Sequence, residues 1–166
     1  MPNNQKLIKV LHIITHLSIG GAQDNTLITV ERLDRRKFEV SLMCSPEGEW
    51  LERATKIKAL NFIFVEELAR RIRFVKDFIA FLKICITIKN AKYDIVHTHS
   101  SKPGVLGRLA AKLAGVPIII HTIHGFPFHE FMNFVTKRFY IGIERFLSRI
   151  SDKIVTVSKL NLEKAV

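Results

Sequence analysis

IVHTHSSKPGVLGRLAAKLAGVPIIIHTIHG, residues 95–125, predicts a strand, a helix and a second strand in succession. Pro103 stands near the start of the predicted helix and Gly115 just beyond its end, which is the usual placement of these residues. Each strand ends in histidine and hydroxyl side chains. Because ligands of a parallel α/β sheet bind outside the carboxyl ends of the strands, this pattern predicts a substrate crevice at that edge.

The same alternation of strand and helix runs through the whole chain. Predicted strands lie at residues 8–15, 38–44, 61–65, 94–98, 118–122 and 153–157. Predicted helices lie at residues 22–33, 50–58, 74–88, 103–114 and 131–149, with Ser158 as the N-cap of a further helix. Short strands joined by helical crossovers predict an α/β fold: a doubly wound, Rossmann-like parallel sheet of about six strands.

The helix predicted at residues 74–88 is the most hydrophobic segment of the chain. Five apolar residues are expected on its buried face: Phe74, Phe78, Phe81, Leu82 and Cys85. Three charged residues interrupt the segment: Lys76, Asp77 and Lys83. The segment is therefore predicted to be too short and too polar to cross a bilayer.

The composition is that of an ordinary single domain with a basic surface. With 166 residues, 48% of them hydrophobic, the chain is large enough to bury a core and too apolar for disorder. The 26 basic and 15 acidic residues give a net charge of +11, which predicts nucleic acid, an anionic membrane surface or a phosphorylated ligand as partner. The basic residues are spread along the chain without a binding motif, so no nucleic-acid partner is predicted.

The cysteines and the N-terminus predict a cytoplasmic protein. Cys44 and Cys85 lie in apolar runs without metal-ligand spacing, and we interpret them as buried free thiols in a reducing compartment. The first ten residues, MPNNQKLIKV, lack the apolar stretch of a secretory signal peptide.

A loop with two adjacent glycines follows the first predicted strand. Gly20 and Gly21 precede a helix, where glycine lets the backbone approach a ligand and the helix N-terminus favours a phosphate. The alternative is a tight turn that needs glycine for a positive φ angle, and the loop by itself leaves both open. The spacing is not G-x-G-x-x-G, so a nicotinamide-nucleotide site is not predicted.

Histidines cluster at the predicted carboxyl ends of the strands. His16, His99 and His124 are candidates for contact with substrate, because a neutral imidazole can accept a proton or donate to a hydroxyl. The alternative for His124 is a histidine that satisfies backbone groups of its loop, and His16 and His99 are candidates by their position alone. His12 and His97 alternate into the sheet and are expected in the core.

A zinc site is a further alternative for this group. His97 and His99 share a strand face, and His121 and His124 follow the next strand. Their spacing matches no structural zinc motif, so no metal is predicted.

Ser100, Ser101 and Lys102 open the helix after the fourth strand. Hydroxyl groups and free N–H groups at this place suit an anion or a polar ligand. The alternative is capping of the helix by Ser101, ahead of Pro103. The two interpretations are compatible, and both remain open.

Aromatic and basic residues are mixed beyond the fifth strand. The aromatic residues of this stretch are Phe126, Phe128, Phe131, Phe134, Phe139, Tyr140 and Phe146. Arg138, Arg145 and Arg149 line one helical stripe, which suits either a membrane interface or a solvated helix with an aromatic core face. A second basic patch contains Arg70, Arg71, Arg73 and Lys76.

Four blocks of the sequence, in this order and spacing, resemble the N-terminal half of a family-four retaining glycosyltransferase of the GT-B architecture. They are LHIITHLSIGGAQDNTLITV at 11–30, YDIVHTHSSKPGVLGRLAAKLAGVP at 93–117, HTIHGFPFH at 121–129 and DKIVTVSK at 152–159. The resemblance covers almost all of residues 1–166. It implies an N-terminal acceptor domain, facing a C-terminal domain that binds a nucleotide-sugar and is absent from this chain.

The resemblance also implies roles for particular residues. The loop at Gly20 and Gly21 corresponds to one that lies against the donor diphosphate and the acceptor. His124, with Gly125 in the family's T-x-H-G motif, corresponds to the histidine that contacts the transferred sugar. The family generally works without a metal or other cofactor, and the nucleotide-sugar is a substrate. Its paired glutamates lie in the missing half, and Glu130, the nearest acid here, is assigned no role.

The function that the resemblance implies is sugar transfer by a hexosyltransferase-type enzyme. The acceptor would be a lipid-linked or other glycan in cell-surface polysaccharide synthesis, at the inner face of the cytoplasmic membrane, and this chain alone would be inactive. The alternatives are a stand-alone domain that binds a nucleotide or sugar phosphate, or a GT-B epimerase relative. A reading frame that continues into a second domain would favour the transferase.

Overall fold

The computed structural model describes residues 6–69, 71–126 and 132–165. Its strands are β1 (Ile8–Ile13), β2 (Phe38–Cys44), β3 (Leu60–Phe64), β4 (Ile95–His99), β5 (Ile118–Ile123) and β6 (Lys153–Thr156). Its helices are α1 (Gly21–Arg32), α2 (Leu51–Thr55), α3 (Phe74–Ala91), α4 (Ser101–Leu113), α5 (Phe134–Ser148) and α6 (Lys159–Ala165).

The six strands form one parallel sheet in the order β3-β2-β1-β4-β5-β6, which confirms the predicted doubly wound fold. The chain builds outward from β1 to β3, then returns to pair β4 with the free side of β1. The strand order therefore reverses between β1 and β4. In open α/β sheets this reversal creates a crevice outside the carboxyl ends of the two strands.

Two apolar clusters pack the helices on opposite faces of the sheet. The first joins α1 and α2 to the sheet through Leu27, Val30, Val40, Leu42 and Ala54. The second joins α3 and α4 to the sheet through Leu11, Ile13, Ile84, Ala110 and Ile119. Strand β1 contributes Leu11 and Ile13 to the second cluster, and Ile14, directly after the strand, belongs to the first.

The buried face of α3 agrees with the prediction only in part, since Phe81 and Cys85 pack against the core as expected and the other three residues do not. Phe74 is 88% exposed and Phe78 is 61% exposed, whereas Ala80, Ile84 and Ile88 are buried. The helix is apolar around most of its circumference, so its residue spacing fits more than one buried face. The face with the smaller and β-branched side chains is the one that packs against α4 and the sheet.

The outward side of α3 carries a row of exposed apolar residues, here named the α3 stripe. Its members are Val75, Phe78, Ile79, Leu82 and Ile86. Cys85 lies beside the core and is only half-buried, contrary to the prediction, whereas Cys44 is buried; both thiols are free. No helix in the described part of the chain is long and apolar enough to cross a bilayer.

Two helix boundaries carry the residues that the sequence predicts there, a glycine after α4 and a serine cap at the start of α6. Gly115 follows α4 with a left-handed φ of 73°, a conformation that glycine adopts without strain. Ser158 caps α6, since its Oγ accepts a hydrogen bond from the backbone N–H of Asn161 at 3.1 Å. Both observations agree with the predicted helix boundaries.

Helix α4 lies unusually close to the sheet at two glycines. A Cβ atom at Gly104 would stand 2.5 Å from Cε1 of His121. A Cβ atom at Gly107 would stand 2.6 Å from the Thr98 methyl carbon and 3.1 Å from Cδ1 of Ile13. All three separations are shorter than a carbon–carbon contact, so the helix reaches this position only because these residues have no side chain.

We expect Gly107→Ala to destabilise the chain by about 1–3 kcal/mol, because the added methyl group overpacks the contact between α4 and the sheet. The measurement is the free energy of unfolding from urea titrations. Gly142→Ala is the matched control, since Gly142 lies inside α5 with no heavy atom near the position of an added Cβ. It should stabilise the chain by about 0.5–1 kcal/mol through helix propensity alone. Equal effects of the two substitutions would contradict the close packing of α4.

Candidate functional site

An open cleft of about 830 Å³ lies outside the carboxyl ends of β1 and β4. Five residues that the sequence analysis assigned to ligand binding line it: His16, Gly20, Ser100, Ser101 and Lys102. They belong to the loop after β1 and to the link and first turn that begin α4. These segments flank the point at which the strand order reverses, so the cleft occupies the position expected for a ligand site.

The opposite wall of the cleft comes from the start of α3 and from α5. Its residues include Asp77, Phe139, Tyr140, Ile143 and Glu144. Three of the apolar residues that line the cleft remain largely exposed: Ile19 at 70%, Ile72 at 64% and Phe139 at 64%. The cleft therefore combines a polar floor of loop and helix-end groups with an apolar rim.

The two glycines after β1 do not need glycine for their backbone angles. Gly20 is extended, with φ 173° and ψ 159°, and Gly21 begins α1 without a positive φ. The alternative of a tight turn that depends on positive φ is therefore wrong. A Cβ at Gly21 would meet no heavy atom within 4 Å, and one at Gly20 would meet only the end of the Gln23 side chain. Gly21 therefore leaves open space beside the start of α1, whereas the space beside Gly20 is taken by the flexible end of Gln23.

The helices that begin at the cleft, α1 and α4, have no side-chain cap. The N-cap of α4 is Ser100, not Ser101, and its hydroxyl makes no capping bond, so the capping alternative for Ser101 is wrong. Ser100 adopts a positive φ of 67°, which costs a non-glycine residue about 1–3 kcal/mol. By contrast, Asn133 caps α5 by accepting from the Val135 N–H at 2.9 Å.

The ammonium group of Lys102 is committed within the wall of the cleft. Nζ donates to the carbonyl oxygens of Ala69 and Arg71, each at 2.7 Å, and forms an ion pair with Asp77. The lysine side chain is only 14% exposed. Lys102 therefore ties the segment before α3 to the start of α4, and its charge is balanced without a ligand.

Three histidines form a hydrogen-bonded row at the carboxyl ends of β1, β4 and β5, here named the histidine row. His12 Nδ1 lies 3.1 Å from His99 Nε2, and His99 Nδ1 lies 3.3 Å from His124 Nε2. His12 is buried, as predicted, and His99 is 0% exposed. His124 is half-buried at the outer end of the row, and Gly125 beside it is exposed. His99 therefore lies behind His124, with no exposed surface of its own.

Two further histidines are held by threonine hydroxyl groups. His97 Nε2 lies 2.7 Å from Thr122 Oγ1, and His121 Nδ1 lies 2.9 Å from Thr98 Oγ1. His97 is only half-buried, so its expected place in the core is not fully reached. Burial lowers the pKa of His97 to about 4 and the pKa of His121 to about 3.

The imidazoles of the histidine row are also neutral at physiological pH. Burial lowers the pKa of His12 and of His99 well below the ordinary histidine value, and neighbouring histidines lower both pKa values further. Burial lowers the pKa of His124 as well. A neutral imidazole carries one donor and one acceptor nitrogen, so each histidine of the row can act in both ways at once.

Ring nitrogens of His12, His97 and His99 lie within 4.8 Å of one another, which is close enough to consider a shared metal ion. The sequence analysis missed this grouping because His12 comes from a strand far away along the chain. The His97 and His99 rings pack against each other with centroids 4.3 Å apart and planes tilted by 31°. Imidazole lone pairs lie in the ring plane, so this packing favours ring contact over joint ligation, and the absence of a metal stays a prediction.

A family model described as Glycosyltransferase Family 4 matches residues 19–163 of the chain. The chain belongs to glycosyltransferase family 4. The matched range includes the cleft residues Gly20, Ser100, Ser101 and Lys102, together with His99 and His124, whereas His16 lies just before it. The family resemblance expected from the sequence is thereby confirmed.

This family-4 chain has relatives of known name. It is 34% identical over 155 residues to the Escherichia coli UDP-Gal:alpha-D-GlcNAc-diphosphoundecaprenol alpha-1,3-galactosyltransferase, with 93% of this chain and 40% of that protein covered. A glycosyltransferase from Rickettsia africae ESF-5 has a similar structure, with a TM-score of 0.70, 19% identity and 96% and 39% coverage. A UDP-N-acetylglucosamine 2-epimerase from Rickettsia bellii has a TM-score of 0.67, 16% identity and 96% and 41% coverage. The chain spans about two fifths of these proteins, and the structural likenesses show the fold alone.

The family-4 domain also buries an arginine that the sequence analysis did not single out. Arg108 in α4 is 0% exposed, and its Nε donates to the carbonyl oxygen of Gly104 at 2.7 Å. Its Nη2 donates to Glu144 at 2.8 Å, which ties α4 to the cleft wall on α5. No sequence signal marks it, because an arginine on an amphipathic helix is normally exposed.

The arginines proposed for membrane contact lie on the surface of α5 and directly after its end. Arg138, Arg145 and Arg149 are exposed, and the Arg138 guanidinium lies 5.5 Å from the centre of the Phe134 ring. The neighbouring Phe134, Phe139 and Phe146 are 69%, 64% and 55% exposed, so these aromatic residues do not form a core face. Arg71, Arg73 and Lys76 of the second patch are also exposed. The predictions on Arg70, Phe128, Glu130 and Phe131 lie outside the described residues.

We expect the family-4 domain to lose stability when the pH falls from 7.5 to 5. His12, His97, His99 and His121 have folded-state pKa values below the unfolded value, so the unfolded state binds more protons below pH about 6.5 and gains in population. Each such histidine lowers the free energy of unfolding by about 1.4 kcal/mol per pH unit in this range. Urea titrations at several pH values between 7.5 and 5 measure how the free energy of unfolding changes with pH.

Near pH 5.5, the slope of the unfolding free energy against pH should correspond to an uptake of roughly three to four protons on unfolding. His97→Gln is the matched variant, because glutamine can retain a hydrogen bond to Thr122 but does not titrate, and it should reduce the uptake by about one proton. An unfolding free energy that is equal at pH 7.5 and pH 5.5 would contradict the neutral buried state of these histidines.

Proposed function

We propose that this chain is the acceptor-binding half of a retaining glycosyltransferase. The enzyme would move a sugar from a nucleotide-sugar to a lipid-linked or other glycan acceptor in the synthesis of cell-surface polysaccharide. The observation that carries the proposal is the cleft at the strand-order reversal, which is bordered by two helix N-termini without side-chain caps and by the half-buried His16. Family membership gives this arrangement its chemistry.

The starts of α1 and α4 suit the oxygens of phosphates and sugars. The first-turn N–H groups of these helices have no side-chain acceptor, and the helix dipole favours negative charge at the same place. The open space at Gly21 lets such a group approach the backbone closely. Ser100 and Ser101 add hydroxyl groups at the second helix start. Because Lys102 is already paired, backbone groups supply most of the attraction for an anion.

The apolar rim supports an acceptor with a lipid portion. Ile19, Ile72 and Phe139 line the cleft while remaining exposed, and the α3 stripe extends an apolar surface from the same end of α3. The exposed arginines of α5 and the basic residues before α3 would attract anionic headgroups. The galactosyltransferase relative is named for an acceptor linked to diphosphoundecaprenol, which agrees with this arrangement. We infer a peripheral location at the inner face of the cytoplasmic membrane.

The donor site is proposed to be shared with a second domain. The chain spans 40% of the length of the galactosyltransferase relative, and that relative is named for UDP-Gal. A C-terminal domain would hold the nucleotide-sugar, and the cleft would receive the diphosphate from the other side. This chain by itself is proposed to be inactive, because catalysis requires both substrates to be positioned together.

In the proposed reaction the acceptor hydroxyl attacks the sugar from the face that the leaving diphosphate departs, so configuration is retained. His124 lies at the end of β5 and would contact the transferred sugar. The first-turn N–H groups of α1 and α4 would stabilise charge that develops on the diphosphate. We propose no metal ion and no other cofactor in this step.

An epimerase is one alternative to the transferase, because a UDP-N-acetylglucosamine 2-epimerase shares the fold. That likeness rests on 16% identity, whereas the family-4 model matches most of the chain. A stand-alone nucleotide or sugar-phosphate binder is the remaining alternative. Incubation of the complete enzyme with UDP-sugars distinguishes them, since epimerisation or simple binding needs no acceptor.

We expect His124→Ala in the complete enzyme to lower the rate of sugar transfer by ~10²–10⁴. The position is half-buried at a strand end, so water can replace the imidazole beside His99 and little stability should be lost. Transfer from a radiolabelled nucleotide-sugar measures the rate, and thermal unfolding measures the stability.

His97→Ala is the control for this substitution. It removes the bond to Thr122 within the sheet and should cost about 1–3 kcal/mol of stability. The two variants should therefore separate, one folded and inactive, the other less stable. Near-normal transfer by His124→Ala, or a loss explained by unfolding, would refute the assigned role.

We expect the chain to bind vesicles that contain anionic lipid, and the binding to weaken as salt is added, because salt screens the attraction. Replacing Arg138, Arg145 and Arg149 together with Gln should lower the bound fraction several-fold in a vesicle sedimentation assay. The matched control replaces Arg32, Lys37 and Lys58 with Gln, an equal change of charge at exposed positions on the α1 and α2 side of the molecule. Equal losses for the two triple variants would show that net charge alone attracts the lipid.

A further inference from the structure

The hydrogen bonds of the histidine row are aligned with the ring planes. The His12 and His99 ring centroids are 5.4 Å apart while their bonded nitrogens are 3.1 Å apart. The corresponding distances for His99 and His124 are 5.5 Å and 3.3 Å. Each difference equals about the width of one imidazole ring, so the rings meet edge to edge. The planes are tilted by only 19° and 32°, and each nitrogen therefore points at the next ring along its lone-pair direction.

This alignment couples the protonation sites of the three rings. A neutral imidazole donates from one nitrogen and accepts at the other. If His12 donates from Nδ1, then His99 accepts at Nε2, donates from Nδ1 and leaves His124 to accept at Nε2. In the opposite sense all three protons lie on Nε2. The row therefore has two ordered states: three Nδ1–H tautomers or three Nε2–H tautomers.

The buried end of the row selects between these states. His12 Nε2 is buried and has no hydrogen-bond partner among the described residues. A proton on this atom would be a buried N–H donor without an acceptor, whereas a bare nitrogen leaves only an unused lone pair. Buried donors without partners are rare and costly in folded proteins. The state with all protons on Nδ1 is therefore the more stable one.

We infer that His99 is a positioning residue, which accepts a hydrogen bond from His12 and donates one to His124, and thereby holds His124 as the Nδ1–H tautomer. The inference rests on the proposed function, in which His124 contacts the transferred sugar. Because His124 Nε2 is engaged by His99, its free nitrogen carries a proton. His124 then donates a hydrogen bond to an oxygen of the substrate and does not act as a base from that nitrogen.

This tautomer is not the one that histidine adopts when unconstrained. Neutral histidine in water carries its proton mainly on Nε2, so an Nδ1–H tautomer at His124 reports the action of a neighbour. The neutral state of all three rings, which follows from their lowered pKa values, keeps the row from breaking by protonation near pH 7.

The first test is the tautomer of each ring in the 166-residue chain. Long-range ¹H–¹⁵N correlation spectra of chain labelled with ¹⁵N-histidine, recorded at pH 7.5, distinguish Nδ1–H from Nε2–H by the pattern of cross-peaks. We expect the Nδ1–H pattern for His12, His99 and His124. An Nε2–H pattern at His124 overturns the inference, whether or not any variant folds.

The second test is His99→Leu, which removes both hydrogen bonds and keeps the site apolar. In this variant His124 should return mainly to the Nε2–H pattern. His97 and His121, which bond to threonines, should keep their wild-type signals and thereby report an intact sheet. If His124 keeps its Nδ1–H pattern in a folded His99→Leu chain, then His99 has only a structural role and the inference is wrong.

A third measurement separates this inference from the proposed function. In the complete enzyme, His99→Leu should lower transfer at least tenfold, and the double variant with His124→Ala should lose little more than His124→Ala alone, because the two residues act together. Fully additive losses would overturn the positioning role. If the wild-type enzyme transfers no sugar, the proposed function fails while the tautomer spectra still decide the inference.

A zinc titration distinguishes the hydrogen-bonded histidine row from a metal site. We expect one equivalent of Zn²⁺ to leave the histidine signals of the wild-type chain unchanged. A shift of His12, His97 and His99 together, complete at one equivalent, would make this cluster a metal site and would overturn the hydrogen-bonded row.

Discussion

The close approach of α4 to the sheet fixes the geometry around the cleft. Gly104 and Gly107 allow the helix to lie against His121, Thr98 and Ile13. Strand β4 ends at residue 99 and α4 begins at residue 101, so a single residue must turn the chain. That residue is Ser100, and its positive φ is the result of the short link. The first turn of α4 is thereby held at the strand-order reversal, where Ser101 and Lys102 line the cleft.

Much of the fold could be predicted because buried parallel strands leave continuous apolar runs bounded by turn residues. The six strands follow from such runs, but only β2 begins and ends at the predicted residues, and the other strands differ from the prediction at one or both ends. The orientation of α3 could not be predicted, because a helix that is apolar on several sides fits several packings. The burial of Arg108 could not be predicted either, because only the packed structure shows that α4 buries this residue against Glu144.

The location of the candidate site followed from the sequence more readily than its internal chemistry. The sequence predicted a crevice at the carboxyl ends of the fourth and fifth strands, because parallel strands bring these ends to one edge. The cleft does lie at this edge, but the segments after β1 and β4 line it, and none of the described residues at the end of β5 does. The pairing of Lys102 with Asp77 and two carbonyl groups depends on a segment about thirty residues earlier in the chain, which no local pattern reveals. The histidine row likewise depends on the register of β1, β4 and β5, in which residue 12 lies opposite residue 97.

Because the starts of α1 and α4 have no side-chain caps, the thermal stability of the folded chain should respond to a ligand that binds there. A side-chain cap stabilises a helix by about 1 kcal/mol, and neither helix has one. A molecule whose oxygens accept hydrogen bonds from these first turns completes the two helix ends. Its binding raises the melting temperature by mass action, in proportion to the logarithm of its concentration above Kd. Nucleotides, sugars and lipid phosphates can therefore be ranked by thermal shift before any turnover is observed.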